Sequence, residues 1–289
     1  MKTPFPPRKI LAAGLALLLT AFVSLAVWLG YTAMVLPSVA FLKEPSASFQ
    51  ITVKDWEGES RTLTVGPENS YWNPLDDIPK YLQQAVLVAE DFNFYHHRGF
   101  DWFEVWEAVK KDIEKRRFAR GASTITQQLA KNLFLSREKT FNRKFKELIL
   151  ARRLENTLSK DRILELYLNI VELGPMVFSV GHGSDHYFGK SPAELTLRES
   201  TFLVAMLPGP RVYNPSREID RVMDRSDHIL GILARAGKIT EHNYEAALEE
   251  LPMPKGVDMD HILNMFRERV DLAAPLIEPG DRSPVIGDQ

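Results

Sequence analysis

Residues 10–36 run for 27 positions without a charged side chain, and Pro37 closes the run. A helix that spans a bilayer needs about 20 apolar residues, so this stretch predicts one, with some tilt to spare. The pattern then changes to short alternating runs at 49–53 and 61–65, broken by Gly58, Gly66, Pro67 and Pro74, which reads as a linker over 37–75 with some strand character. Beyond it the apolar positions recur at helical spacing. Pro79 opens a helix carrying Leu82, Val86 and Ala89, which delivers Glu90 at its C-terminal end. Asp101 with Glu104 forms a capping-box pattern for a helix to about residue 117, and Thr124 with Gln127 does the same for a helix to about residue 135. A further helix covers 141–158. Ser191 with Glu194 and Thr196 with Glu199 are two more capping boxes, the second opening an apolar helix that stops at Pro208. Thr240 caps a helix over 241–250, and the end of the chain, 253–289, reads as an irregular tail. The fold expected is mainly α, one domain on a stalk.

Flanking charge orients the apolar run. Lys2, Arg8 and Lys9 precede it, which predicts a cytoplasmic N-terminus over residues 1–9 and everything after Pro37 outside; Trp28 and Tyr31 fall near the outer end, where amphipathic rings favour the interface. Ser38-Val39-Ala40 resembles a signal-peptide cleavage site, yet a cleavable apolar region is usually about 7–15 residues, so an uncleaved anchor is the reading taken. The net charge of −2 hides an asymmetry: residues 108–162 hold 16 Lys/Arg against 6 Asp/Glu, and residues 217–289 hold 9 against 15. A basic middle beside an acidic end points to an anionic ligand and away from a generally basic nucleic-acid binder. The chain has no cysteine, which excludes disulfides, thiolate chemistry and Cys-based zinc sites.

The candidate chemistry lies in three clusters. Glu90-Asp91-Phe-Asn-Phe94-Tyr-His-His97-Arg-Gly99 places two carboxylates about 100° apart at a helix end, so they cannot share one job: one serves as general base, the other as a structural acceptor. Alone such a pair would be ordinary surface acid; Phe94, His97 and Gly99 give it the look of a sharply turned loop. Gly121-Ala-Ser-Thr-Ile-Thr-Gln-Gln128 brings five hydrogen-bonding side chains within six positions, suited to sugar hydroxyls or phosphate oxygens at a helix N-terminus, with Lys131 on the same face as Thr124. In Arg143-Lys-Phe-Lys-Glu147 the i,i+4 pair taken alone reads as an exposed ion pair worth about 0.2–0.5 kcal/mol. His96, His97, His182 and His186 fit no common metal spacing.

In wording and order these clusters resemble the peptidoglycan glycosyltransferases, the lysozyme-like family that polymerises lipid II and forms the glycosyltransferase domain of class A penicillin-binding proteins. The resemblance covers about residues 71–215. Glu90, Asp91, Phe94, His97 and Gly99 meet its first motif; Gly121, Ser123, Thr124, Gln127 and Gln128, with Lys131 and Asn132 following, meet its second; Arg143, Lys144 and Glu147 meet its third. Lys160 to Asn169 and Leu207 to Pro215 look like the fourth and fifth. Ala122 replaces a glycine, and over 174–186 the family's Gly-rich loop and Glu-Ala-Ala-Ala give way to a run with Gly181 where a Glu would stand. Two glycines there make a poorer helix, at about 1 kcal/mol each against Ala.

The resemblance implies a monofunctional enzyme: a lysozyme-like glycosyltransferase domain over 76–252 on a single N-terminal signal-anchor helix, set in the inner membrane with the domain on the periplasmic side. The donor would be the growing glycan chain on its lipid pyrophosphate and the acceptor lipid II. Glu90 would be the general base and Glu147 the second catalytic carboxylate. Substrate contacts would come from Asp91, Phe94, His97, Ser123, Thr124, Gln127, Gln128, Lys131, Asn132, Arg143, Lys144 and Arg211. A divalent cation, Mg or Mn, at Glu147 is left open, with no organic cofactor. Residues Trp102, Phe103, Trp106 and Phe118 are candidates to dip into the bilayer, and cell-wall synthesis or division proteins are candidate partners; no nucleic acid is expected. Transpeptidase elements are not met: one Ser-x-x-Lys occurs, Ser136 to Lys139, without Ser-x-Asn or Lys-Thr-Gly. Two other classes stay open at this point: a glycan-cleaving enzyme on the same scaffold, and a catalytically silent scaffold whose altered 174–186 loop recruits partners.

Overall fold

A computed structural model describes residues 7–55, 57–101, 106, 123–136, 138, 140–209 and 212–264. Of the helix expected over 101–117 only Asp101 and Trp106 are among them; Trp102, Phe103 and Phe118 lie outside, as do Gly121, Ala122, Arg211 and the chain from 265 onward. Within them the fold is mainly α, as the apolar spacing predicts. The chain forms two compact bodies: one of Met1–Val53, Thr62–Ser70 and Asn93–Ile170, the other of Lys54–Arg61, Tyr71–Phe92 and Val171–Gln289.

The first body begins with α1 (Pro7–Val35), whose stretch Leu11–Val35 is long and apolar enough to cross a membrane and is exposed over most of its length. Strands β1 (Phe49–Lys54) and β2 (Ser60–Val65) pair in a two-stranded sheet at the positions where alternation predicts strands. The stretch read as a linker is better anchored than its composition suggests: Val39 and Leu42 are buried, and the Arg162 guanidinium donates to the carbonyls of Leu42 (3.0 Å) and Glu44 (3.2 Å). Helices α3 (Ile125–Phe134), α4 (Phe141–Thr157) and α5 (Lys160–Leu168) pack on one another through Leu129, Ala130, Leu150, Leu154, Ile163 and Leu164, all buried. Each starts at a hydroxyl cap. Thr124, Thr140 and Ser159 accept from the backbone N–H three residues on, at 3.2, 3.1 and 3.2 Å, which satisfies a donor the first turn leaves open.

α4 also carries α1. Trp28 stacks on Phe145 with ring centroids 5.4 Å apart, Thr32 is buried, and the Arg153 guanidinium donates to the carbonyls of Leu36 (2.8 Å), Pro37 (3.0 Å) and Ala33. The last carbonyls of a helix have no partner within it, and a cation placed there also complements the helix dipole.

In the second body α2 (Lys80–Glu90) packs against α7 (Leu197–Ala205) and α8 (Pro215–Arg235), and α9 (Glu241–Glu249) closes on α8. Both predicted capping boxes are present, although the first opens only the single turn Pro192–Glu194. α7 is buried along nearly its whole length, Arg198 included; that guanidinium is paired with Asp227 on α8 and donates to Ser226 Oγ at 3.3 Å. Strands β3 (Glu172–Gly174) and β4 (Val177–Phe178) form a tight antiparallel pair that leads into α6 (Val180–Phe188). The turn holds Met176 at φ 60° and the α6 cap Ser179 at φ 79°, a left-handed region that side chains occupy at a cost.

Candidate active site

The first body holds the second and third sequence clusters as one network. Thr124 caps α3 and its hydroxyl also donates to the Gly99 carbonyl at 2.7 Å, which ties the end of the first cluster to the start of the second. Gly99 itself sits at φ 94°, close enough to Ala151 and Glu155 of α4 that a Cβ would meet them at 3.3–3.4 Å. Thr126 donates to Glu155 at 2.6 Å, and Lys160 pairs with the same carboxylate at 2.8 Å while lying 4.3 Å from the centre of the buried Phe94 ring. Tyr95, pushed up to about 12 by burial and by its bond to Asp161 (3.0 Å), remains a donor at any ordinary pH.

At the N-terminal end of α4 lies the charged core of this network. Glu147 is 3% exposed, and both its oxygens are taken: Oε2 by Arg143 and Oε1 by Lys144. Lys144 Nζ also donates to Ser123 Oγ at 3.0 Å and Gln127 Oε1 at 3.2 Å. Arg143 and Glu147 are therefore not the exposed i,i+4 pair that their spacing alone suggests. One carboxylate holds two cations, and Ser123 and Gln127 orient the second of them. On α3 Gln128 accepts from the Tyr167 hydroxyl at 3.2 Å, while Lys131 and Asn132 follow half-buried on the same helix. Thr124, Thr126 and Gln127 are buried, so the dense hydroxyl and amide run is spent largely on holding neighbouring elements.

A divalent cation at Glu147 would have to displace one of these two nitrogens, so this donor set does not fit one.

The second body carries Glu90 as the last residue of α2, with Asp91 turning the chain out of the helix at φ −164°. Asp91 is 1% exposed and its side chain is interior, in line with a structural acceptor. Glu90 faces a cation the sequence reading missed: Arg225 of α8, whose guanidinium nitrogen lies 3.9 Å from Glu90 Oε1 and which also sits 5.6 Å from the Tyr213 ring. The apolar rhythm Ile219, Val222, Met223, Ile229, Leu230, Leu233 would have found α8, but nothing local marks Arg225. In the altered 174–186 run, Gly181 lies so close to the 71–73 backbone that a Cβ would meet Tyr71 O and Asn73 Nδ2 at 2.3 Å. Tyr71 stacks on His182 at 4.5 Å and donates to Asp185 at 3.3 Å.

Residues 58–234 match the family model described as Transglycosylase. Penicillin-binding protein 1A of Neisseria flavescens is 37% identical over 237 residues, 82% of this chain and 29% of that protein. The Aquifex aeolicus protein of the same name is 36% identical over 84% of this chain and 33% of its own length. A crystal structure of penicillin-binding protein 1A from Haemophilus influenzae aligns over 78% of this chain and 24% of that one, with a TM-score of 0.40 and 21% identity. The chain thus spans about a third or less of the length of these relatives.

Proposed function

The chain belongs to the transglycosylase family, and on that premise we propose that it polymerises peptidoglycan glycan chains from lipid II. The 4-hydroxyl oxygen of the acceptor sugar attacks the anomeric carbon of the lipid-linked chain. A new C–O bond forms with inversion, the bond to the pyrophosphate oxygen breaks, and the proton of the attacking hydroxyl passes to Glu90. General-base catalysis of this kind is worth about 10²–10⁴-fold. Arg225 supplies a counter-charge to the carboxylate a base must present. Lys144 and Arg143 meet the charge that grows on the leaving pyrophosphate, with Lys131 as a third cation, and Glu147 keeps the first two in place. Gln128 and Asn132 serve as sugar or phosphate contacts. Thr124 and Gln127 act at one remove, through Gly99 and Lys144.

The observation that carries this reading is the buried Glu147 with two cations on its two oxygens, one of them oriented from α3 by Ser123 and Gln127. A solvated ion pair needs no such support; a preorganised anion-stabilising group does. α1 would keep the enzyme at the bilayer surface where both lipid-linked substrates reside, with the catalytic residues on the periplasmic side.

The test is direct. Detergent-solubilised full-length protein is incubated with labelled lipid II beside Glu90→Gln, and products are resolved by size. Polymer from the wild type, reduced about 10²-fold or more in the variant, is the expected result. Wild-type levels from Glu90→Gln would remove Glu90 from the role of base. Shortening of preformed glycan would turn the reading to a cleaving enzyme, and a folded protein inert in both assays would turn it to a scaffold.

A further inference from the structure

Arg152, next to the arginine that holds the end of α1, lines an open pocket of about 850 Å³ together with Arg98, His96, His97, Asn93 and Asp101. None of the cations in it is used by the network around Glu147. The pocket lies wholly within the first body, so its position relative to α1 is fixed by α4. Arg153 holds the carbonyls of Ala33, Leu36 and Pro37, at the very end of the apolar stretch Leu11–Val35. Arg152 precedes Arg153 by one residue, about 1.5 Å along the helix axis. The polar layer of a bilayer extends roughly 5–8 Å beyond the hydrocarbon on each side. With α1 across the membrane, Arg152 therefore lies at the depth of the lipid headgroups.

We propose that this pocket binds the phosphate headgroup of an anionic phospholipid of the surrounding bilayer. Arg98 and Arg152 are exposed, and two guanidinium groups in one lining can grip one phosphodiester. His97 shapes the lining, its Nδ1 accepting from the Gly99 N–H at 3.2 Å. Among the described residues Asp101 is the one carboxylate in the lining, and it is buried and engaged, since Asn93 donates to its Oδ2 at 3.0 Å. A pocket of this size is larger than a phosphate and accommodates a glycerol headgroup. The proposal takes from the proposed function only that α1 spans the bilayer. It does not depend on catalysis.

Full-length protein in a non-ionic detergent, its intact mass confirming that α1 is retained, is titrated with dihexanoyl phosphatidylglycerol while thermal unfolding is followed. Dihexanoyl phosphatidylcholine and inorganic phosphate at equal concentrations are the comparison arms. Ligand that binds only the folded state raises Tm with concentration. Phosphatidylglycerol alone is expected to do so saturably, and Arg98→Gln/Arg152→Gln to weaken the apparent affinity about tenfold or more, as loss of two charge-assisted hydrogen bonds requires. Arg98→Lys/Arg152→Lys keeps the charge and should bind more tightly than the glutamine pair; equal weakness in both pairs would overturn the electrostatic assignment. Equal shifts from the two lipids, or an unchanged affinity in the glutamine variant, would overturn the site. An equal shift from inorganic phosphate would overturn the lipid as its source. Each outcome is independent of whether lipid II is polymerised.

Discussion

His182 shows how a single side chain couples this fold to pH. Burial, and then its neighbour His186, hold the ring's pKa below the ordinary histidine value, with Asp185 opposing them, and Tyr71 covers one face of the ring at 4.5 Å. The folded state therefore prefers the neutral ring more than the unfolded state does. In the window below about 6.5 the unfolded chain takes up more protons, so stability is fully present above that value and falls as pH drops through it toward the lowered folded value. Tm should decline between pH 7.5 and 5.5, and the decline should be shallower in His182→Gln; parallel curves would show that the ring does not contribute. At this scale the sequence was a partial guide. Glu90, Asp91, Arg143, Lys144 and Glu147 were legible as chemistry because each belongs to a local motif. Arg225 was not, because what sets it opposite Glu90 is the packing of α8 on α2, more than a hundred residues apart in the chain.

Among the elements, α6 is where local preference and tertiary contact disagree. Gly181 and Gly183 lower the helical tendency of this stretch, yet Val180–Phe188 is a helix. Close neighbours explain the glycines: a Cβ on Gly181 would stand 2.3 Å from the Tyr71 carbonyl and from Asn73 Nδ2, and one on Gly183 would stand 2.6 Å from the Leu173 side chain at Cδ1. Gly181→Ala gains about 1 kcal/mol in helix propensity but must push a backbone carbonyl aside, a forced overpacking of about 1–3 kcal/mol. The expected outcome is a net loss of stability, read as a lower urea midpoint; a rise would mean that the 71–73 segment yields easily. Several helix starts were legible from caps, while α5 and α8 went unread. The hydroxyls of Thr124, Thr196 and Thr240 mark helix starts within one residue of where they occur. The β3–β4 pair went unread, since strands of three and two residues are too short for alternation to register.

For the molecule as a whole, the surface of α4 has two uses. Its N-terminal turns carry Arg143, Lys144 and Glu147, and other positions on the same helix, Phe145 and Arg153, receive α1. The membrane anchor was legible from 27 uncharged residues, and its seat on α4 was not, because neither Phe145 nor Arg153 differs in type from any helix-surface residue. A water-soluble fragment cut after Pro37 would keep the seat and lose what fills it. Its exposed Phe145 ring and unengaged Arg153 would make it bind detergent and self-associate, so light scattering should report oligomers for the fragment that Phe145→Ser/Arg153→Glu disperses. If the unmodified fragment is monodisperse without detergent, the seat is not adhesive. For anyone preparing this protein, the helix usually trimmed to gain solubility is better regarded as the stopper of the bottle than as its label.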